Sequence, residues 1–191
     1  SLLEMETVDI HGVPTRAWKN APPTLRQILA FGKMHGQKVY LVYEDERVTF
    51  DAFHRAVAAF AAELKAQGVE KGDRVALAMR NLPEWPVAFF ATVVLGAISV
   101  PLNAWWTGPE LEYGLTDSGA KIAIVDAERL ERLTEHFASC PELKRAYVAR
   151  AAEEIAHPYI VSMETVIGAS DTWAVLHDAD VPDAEIATDD D

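Results

Sequence analysis

The chain has 191 residues, of which 50% are hydrophobic and 25% are charged, the composition of a globular domain. Its formal net charge of -13 argues against nucleic-acid binding, which depends on a basic surface, and it disfavours attraction to anionic membranes. The single cysteine, Cys140, excludes an internal disulfide, and we expect it to be a structural residue rather than a nucleophile. The longest apolar run, Val87 to Val100, is too short to span a bilayer, and no signal peptide is recognisable, so a cytoplasmic protein is predicted.

The N-terminal part is predicted to contain an extended arm, a helix and a hairpin. Residues 1–23 have weak periodicity and end in two prolines, which favours an extended arm. Thr24 is a suitable N-cap for the helix that follows. The β-rich run Val39–Tyr43, a polar turn and the short run Arg47–Thr49 together predict a small antiparallel hairpin.

The helix predicted from Phe50 to Gln67 is the clearest element of the sequence. Its apolar residues repeat at helical spacing and form one stripe. Asp51 favours the positive N-terminal end of the helix dipole, and Lys65 favours the negative C-terminal end. Gly68 can adopt the left-handed conformation that ends a helix, so the boundary is predicted there.

Two further helices are predicted to begin at residue pairs with the spacing of a capping box. Asn81 with Glu84 opens a helix that is apolar nearly all round and should be buried between layers. Thr107 with Glu110 opens a helix that ends at a Ser-Gly pair. Another amphipathic helix is indicated around residues 130–137. Buried strands are predicted between the helices, at Arg74–Met79, Ile98–Val100, Ile122–Val125 and Arg145–Val148.

The alternation of helices and apolar strands after residue 50 predicts an α/β fold. Such βαβ units give a mostly parallel sheet with helices on both faces, here with a small antiparallel hairpin near the N-terminus. Arg145–Val148 is expected to be the last parallel strand, followed by a short strand at Ile160-Val161 and a short helix at 172–177. The predicted divisions are an arm (1–23), an α/β domain (24–177) and an acidic, solvated linker (178–191).

No conventional catalytic motif occurs in the sequence, so no catalytic and no cofactor-binding residue is assigned from it. Glycine-rich phosphate loops and the nucleophile elbow are absent. The six histidines lack the spacing and the partners of a metal site, and His54 falls on the polar face of its helix, so no metal ligand is assigned. Asp117-Ser118-Gly119 is interpreted as a helix end rather than a hydrolytic site, and Asp189–Asp191 as linker rather than a cation site.

Two adjacent tryptophans, Trp105 and Trp106, are the candidate ligand-contacting residues. Exposing two neighbouring indoles is costly, so at least one should pack inward. Packing against a neighbouring helix is the favoured interpretation. Lining a substrate or thiol channel, or meeting another part of a longer protein, are the alternatives that the sequence leaves open.

Five segments between about residues 24 and 127 follow one another in a recognisable order. They are Val48–Phe53, Gly68–Ala76, Asn81–Trp85, Leu95–Tyr113 and Asp117–Lys121. Together they resemble the motifs of the adenylate-forming (AMP-binding) superfamily; each is modest alone, whereas the ordered set is highly specific. Within that superfamily, the sequence of Trp105–Tyr113 is most similar to fatty-acid and related acyl-CoA ligases.

The resemblance implies an ATP-dependent acyl-CoA synthetase. Such enzymes use ATP and Mg²⁺ to convert a fatty or other carboxylic acid to an acyl-adenylate, and the thiolate of coenzyme A then displaces AMP. In the family a phosphate loop normally follows a segment like Ala187–Asp191, and neither it nor the later nucleotide motifs and C-terminal domain occur here. The resemblance therefore implies a truncated N-terminal subdomain that is incomplete relative to the full ligase fold. We expect it to be inactive alone, not to bind the cofactors tightly, and to need the remainder of the ligase chain as partner.

Other functional interpretations of the same residues stay open at this point. A stand-alone, non-catalytic binding or interaction module on the same scaffold is the main alternative. A small hydrolase is disfavoured because no nucleophile lies at a recognisable spacing from a base. Acyl chain length, membrane docking and a homo-oligomeric state are not determined by these residues.

Overall fold

The computed structural model describes residues 3–151, 155 and 157–187. Two short 3-10 turns, Phe137–Ser139 and Ser170–Val175, accompany the regular elements. The helices are α1 (Leu25–Lys33), α2 (Phe50–Ala66), α3 (Glu84–Val93), α4 (Gly108–Ser118), α5 (Ala127–Thr134) and α6 (Glu164–Ile167). The strands are β1 (Met5–Ile10), β2 (Val13–Trp18), β3 (Val39–Tyr43), β4 (Glu46–Thr49), β5 (Arg74–Ala78), β6 (Ile98–Pro101), β7 (Ile122–Asp126), β8 (Arg145–Ala149) and β9 (Ile160–Ser162).

A parallel sheet at the centre of the molecule confirms the predicted α/β class. In the described part of the chain it has five strands in the order β6-β5-β7-β8-β9, and every neighbouring pair is parallel. The prediction that Arg145–Val148 forms the last parallel strand is wrong, because Ile160–Ser162 pairs in parallel with it. The predicted short strand at Ile160-Val161 is confirmed as β9, but its parallel pairing with β8 was not predicted, because three residues carry no periodic signal.

The two faces of the sheet bury two separate apolar clusters. Val75 and Leu77 point to a first core cluster that includes buried residues of α2, α3 and α6. Ala76 and Ala78, which alternate with them, point to a second core cluster with residues of α4 and α5. The period-two alternation of a strand thus places α3 and α5 on opposite faces, as expected for a doubly covered sheet.

The N-terminal hairpins lie outside this sheet. The hairpin of β3 and β4 was predicted, and it is antiparallel. Residues 1–23 were expected to form an extended arm, but β1 and β2 in it pair as a second antiparallel hairpin. His11 and Gly12 turn the chain with φ values of 50° and 82°, and Gly12 donates its backbone N–H to Asp9 Oδ1 at 2.8 Å. This local turn, rather than apolar periodicity, specifies the pairing.

The predicted starts of α1, α2 and α4 are confirmed, and the predicted cap of α3 is wrong; the Thr49 cap of α2 was not predicted. Thr24 and Thr49 cap α1 and α2, and Thr107 begins α4 with a complete capping box. Asn81 was expected to cap α3 together with Glu84, but α3 begins after Pro83 and has no side-chain cap. Glu84 is buried instead and binds Arg150, so a tertiary ion pair has replaced the predicted local contact.

The C-terminal segment runs along α1 and α2 without regular structure. The predicted short helix at 172–177 is present in part, as the 3-10 turn Ser170–Val175. The segment after it was expected to be a solvated linker, but Arg26 donates to the carbonyl oxygens of Val94, Val181 and Pro182 at 3.0, 3.4 and 2.8 Å. The acidic stretch is therefore held against α1 at Val181 and Pro182. Asp189–Asp191 lie outside the described residues.

Arg26→Met is expected to release the C-terminal segment and to lower the free energy of unfolding by about 1–2 kcal/mol, because three carbonyl groups lose a charged donor. Limited proteolysis should then cleave within residues 178–187 faster than in the unmodified chain. Arg16→Met is the matched control, since Arg16 is exposed on the hairpin and its side chain contacts Met5. Equal cleavage rates in both variants would show that Arg26 does not hold the segment.

Within the described ranges, each helix is too short or too polar to cross a bilayer.

Candidate functional site at the carboxyl edge of the sheet

A cavity of about 820 Å³ lies where the carboxyl ends of β5, β6 and β7 meet. The chain leaves β5 into α3 and β7 into α5, and these helices lie on opposite faces of the sheet. In open α/β sheets such a switch point forms a crevice in which ligands bind. The cavity lining combines apolar and charged side chains. It includes Met79, Arg80, Leu82, Trp85, Pro101, Leu102, Trp105, Asp126, Glu128, Arg129 and Arg150.

Asp126, the last residue of β7, organises the wall of the cavity. Its Oδ2 accepts the backbone N–H of Arg80 at 2.9 Å, and its Oδ1 accepts that of Arg129 at 3.0 Å, which caps α5. The carboxylate also pairs with the Arg129 guanidinium at 3.1 Å. One buried carboxylate thus joins the ends of β5 and β7 across the switch point.

Arg129 is only 1% exposed although it carries a charge. Its Nε donates to the carbonyl oxygen of Ala104 at 2.6 Å, and its Nη1 binds Asp126 and Glu128. Glu128 also pairs with Arg132, which donates to the carbonyl oxygen of Trp106 at 2.9 Å. The loop between β6 and α4, which holds both tryptophans, is therefore fixed to α5 by two arginines.

The two tryptophans have different environments. Trp105 is 67% exposed at the cavity, and the Arg80 guanidinium lies 4.2 Å from the centroid of its indole ring. Trp106 packs against the second core cluster, and its ring is so close to Gly114 that a Cβ there would meet it at 2.9 Å. The expectation that at least one indole packs inward is confirmed. Of these two tryptophans, Trp105 is the one that lines the cavity.

Arg150 forms the far wall with two carboxylates and an aromatic ring. It has a left-handed φ of 57°, and its guanidinium donates to Glu46 at 2.8 and 2.9 Å and to Glu84 at 3.1 and 3.2 Å. It also lies 4.9 Å from the ring centroid of Tyr43. Hydrogen bonds from Arg150 lower the pKa of Glu46, whereas burial raises the pKa of Glu84 against the opposing effect of Arg150.

Glu84→Gln is expected to make the protein progressively more stable than the unmodified chain as the pH rises. A raised folded-state pKa means that Glu84 contributes stability below its unfolded pKa, near 4.3 for a free Glu, and that this contribution is lost as the pH rises through the folded value. Glutamine keeps the acceptor for Arg150 without the buried charge. Urea denaturation between about pH 4 and pH 7 measures the difference.

Glu142→Gln is the control for this pH series, because Glu142 is exposed in a loop. Its stability difference from the unmodified chain should stay flat over the same range. Glu46, with its lowered pKa, contributes in the opposite sense, since its stabilisation is lost as the pH falls. A constant difference between Glu84→Gln and the unmodified chain would contradict the assigned direction.

Several site residues were missed by the sequence argument. No motif marks these residues, and the sequence indicates them only by position, because each lies within four residues after a predicted strand. They are Arg80, Asp126, Arg129 and Arg150. His54 was placed on a polar helix face, but it is only 6% exposed, because the C-terminal segment and α1 cover that face of α2. Cys140, for which a structural role was predicted, is buried, and burial raises the pKa of its thiol. In the ranges described by the structure, no group of His, Cys, Asp or Glu is suited to hold a metal ion.

The fold and the switch-point cavity define an α/β protein of the kind that binds ligands at the carboxyl edge of a parallel sheet. The chain also matches the AMP-binding enzyme family model over residues 30–185. It belongs to the AMP-binding enzyme family. The resemblance seen in the ordered sequence motifs is thereby confirmed.

Relatives of known activity are acyl-CoA ligases. The chain is 30% identical over 122 residues to 4-hydroxybutyrate–CoA ligase 2 of Metallosphaera sedula, with 64% of this chain and 22% of that protein covered. It is 36% identical over 111 residues to a long-chain-fatty-acid–CoA ligase of Yersinia pestis, with 58% of this chain and 20% of that protein covered. The chain thus spans about a fifth of the length of these relatives.

Solved structures of ligases contain the same fold. An anthranilate CoA ligase, AuaEII, in complex with anthranoyl-AMP superimposes with a TM-score of 0.69 at 28% identity, over 76% of this chain and 28% of that one. A fatty acyl CoA synthetase of Mycobacterium tuberculosis gives a TM-score of 0.62 at 27% identity, over 70% of this chain and 30% of that one. The described fold is therefore part of the ligase fold.

Proposed function

We propose that this chain is the N-terminal part of an ATP-dependent acyl-CoA synthetase that converts a carboxylate to an acyl-adenylate and then to a coenzyme A thioester. The family match over residues 30–185 and the ligase relatives support the reaction class. The observation that carries the proposal is the switch-point cavity, whose lining combines apolar and charged side chains. Such a wall suits a channel for molecules that have an apolar arm and a charged head.

The residues present do not fit the phosphates of ATP or a Mg²⁺ ion. A phosphate cradle needs several converging backbone N–H groups, and the sequence has no glycine-rich loop that supplies them. The described residues also hold no cluster of metal-ligating side chains. The nucleotide and metal chemistry therefore belongs, in this proposal, to the remainder of the ligase chain, and this part contributes scaffold and channel wall.

Trp105 is the residue of this chain that we assign to the channel. It is exposed at the cavity, and the nearby Arg80 guanidinium gives that part of the rim a positive charge and an aromatic face. Trp106 was a second candidate, but its half-buried packing against the second core cluster favours a structural role. The channel is thus proposed to meet substrate at the β6–α4 loop.

ATP–pyrophosphate exchange with fatty acids tests the proposal. The 191-residue chain should give no exchange, and a longer chain that restores the rest of the ligase should give it. In that longer chain, Trp105→Ala should raise the KM for acid or for coenzyme A by about tenfold, because the substrate loses its packing contact with the indole ring. Trp18→Ala is the matched control, because Trp18 is exposed on the N-terminal hairpin, which pairs outside the sheet.

Two outcomes would overturn the assignment. Robust exchange by the 191-residue chain would show that it holds the catalytic machinery. The second outcome has two parts: the longer chain shows no exchange, and the 191-residue chain is a compact monomer that binds no hydrophobic dye. This result would favour the stand-alone binding module. Exposed apolar residues on α1 and β3, namely Ile28, Phe31, Met34, Val39 and Val42, lead us to expect dye binding instead.

A further inference from the structure

The loop between β6 and α4 presents Trp105 to the switch-point cavity, although the indole has little packing of its own. The side chain is 67% exposed, and its ring faces the Arg80 guanidinium at 4.2 Å. A side chain with so few packing contacts takes its position from its backbone. The groups that fix the backbone of this loop therefore decide where the indole lies.

Two arginines of α5 bracket the tryptophan pair. Arg129 Nε donates to the carbonyl oxygen of Ala104 at 2.6 Å, and Arg132 Nη1 donates to that of Trp106 at 2.9 Å. The peptide groups directly before Trp105 and directly after Trp106 are thus both held. Residues three apart on a helix are neighbours at about 5–6 Å, and two residues of chain span at most about 7 Å, so one helix face can reach both carbonyl groups.

Glu128 joins these two arginines. Its Oε2 accepts a hydrogen bond from Arg129 Nη1 at 2.8 Å, and its Oε1 accepts one from Arg132 Nη2. Two guanidinium groups on one helix face repel each other, and the carboxylate between them offsets this repulsion. Arg129 also pairs with Asp126, whereas Glu128 is the carboxylate partner that the described part of the chain provides for Arg132. The orientation of Arg132 therefore depends on Glu128.

Arg132 differs from Arg129 in its relation to the cavity. Arg129 and Glu128 line the cavity, whereas Arg132 is not among the described residues that line it. The backbone of Arg132 packs against the start of α4, where a Cβ on Gly108 would meet the Arg132 carbonyl oxygen at 2.6 Å. The Arg132 side chain therefore acts on the cavity through the loop and not by contact with a ligand.

We infer that Arg132, oriented by Glu128, is a positioning residue that holds the Trp105 indole in the cavity wall. Because the backbone on both sides of the tryptophan pair is fixed, the indole is already in place when a substrate arrives. Substrate binding then does not have to order the loop. The consequence for substrate binding rests on the proposed function, whereas the position of Trp105 in the 191-residue chain does not.

NMR relaxation of the indole Nε1–H groups tests this inference on the 191-residue chain, with Trp105→Phe to assign the Trp105 resonance. In the unmodified chain, the order parameter of this group should be close to about 0.85, the value of rigid groups. Arg132→Met should lower it below about 0.6, into the flexible range. The Trp173 indole is buried and donates to the carbonyl oxygen of Gly168, so its unchanged resonance shows that the core is folded.

Glu128→Gln is the second variant. It keeps an oxygen acceptor but removes the charge between the arginines, so it should lower the order parameter of Trp105 by less than Arg132→Met does. Arg47→Met is the matched control, because Arg47 also donates to two carbonyl oxygens, but in the β3–β4 turn. An unchanged order parameter in both α5 variants, or an equal loss in the control, would overturn the inference. Glu128 is exposed, so its variant gives the answer if Arg132→Met does not fold.

The longer ligase chain tests the consequence for substrate binding. Arg132→Met should raise the same KM as Trp105→Ala, by about threefold, and leave kcat nearly unchanged. Combined with Trp105→Ala it should have no further effect, because it acts through that indole. A fall in kcat at constant KM, or additive effects in the double variant, would contradict the inference. A longer chain without exchange contradicts the proposed function alone, and the order parameter of Trp105 in the 191-residue chain then decides whether Arg132 positions it.

Discussion

Trp173→Ala is expected to lower the free energy of unfolding by about 3–5 kcal/mol, among the largest effects of any single substitution in this chain. Trp173 is 0% exposed within the 3-10 turn Ser170–Val175. It belongs to the first core cluster, and its indole Nε1 donates to the carbonyl oxygen of Gly168 at 3.1 Å. Truncation to alanine leaves a cavity that the turn cannot fill by itself and removes that hydrogen bond.

Urea denaturation of Trp173→Ala beside Val175→Ala measures this contribution. Val175 lies in the same turn but is 85% exposed, so its substitution should change stability by less than about 0.5 kcal/mol. A similar small loss in both variants would show that the turn is not part of the core.

The same residue tests the predicted domain boundary at residue 177. A chain cut after Gly168 loses Trp173 and should not unfold cooperatively, because the face of α2 that the turn covers would be exposed to solvent. A chain cut after His177 keeps the turn and should unfold in one transition. Cooperative unfolding of the shorter chain would place the boundary before the turn.

The elements with strong local signals were predictable from the sequence. α2 has an apolar stripe, a Thr49 cap, suitable charges at both ends and Gly68 at φ 81°, and all of these favour the same helix. α4 likewise has its capping box at Thr107 and ends at Gly119 in the left-handed conformation. Where every local preference agrees with the fold, the sequence pattern was sufficient to predict the helix and its ends.

The elements that depend on distant residues were not predictable. Glu84 has the spacing of a capping residue, but Arg150, 66 positions away, binds its side chain in the folded chain. β9 was predicted as a short strand, but its place beside β8 in the parallel sheet was not. His54 is covered by segments that lie far away in the sequence. In each case, a tertiary contact outweighed or replaced the local signal.

The candidate site was predictable only by its position. The alternation of strands and helices implies a switch point, and polar residues that follow strand ends meet there. The particular partners of Asp126 are a backbone N–H from another strand end and a buried arginine on its own helix. No spacing in the sequence encodes the first of these, because the loop after β5 reaches Asp126 only when the sheet is formed.

Asp126→Ala is expected to destabilise the chain by about 3–5 kcal/mol, since it leaves the Arg129 guanidinium buried with only Glu128 as a carboxylate partner. It also removes the acceptor for the backbone N–H groups of Arg80 and Arg129. Asp126→Asn keeps an oxygen acceptor without the charge and should lose less. Asp117→Ala, at an exposed position near the end of α4, is the control and should change stability by less than about 0.5 kcal/mol.

A double-mutant cycle with Arg129→Met distinguishes the ion pair from simple loss of packing. If the two charges stabilise each other, Asp126→Ala combined with Arg129→Met should cost clearly less than the sum of the single substitutions, because no buried charge is left without its partner. Additive losses would mean that Asp126 acts only through the two backbone N–H groups. In that case Asp126 would hold the switch-point wall through these backbone hydrogen bonds, and Arg129 would act on the loop that carries Trp105 separately, through its hydrogen bond to the carbonyl oxygen of Ala104.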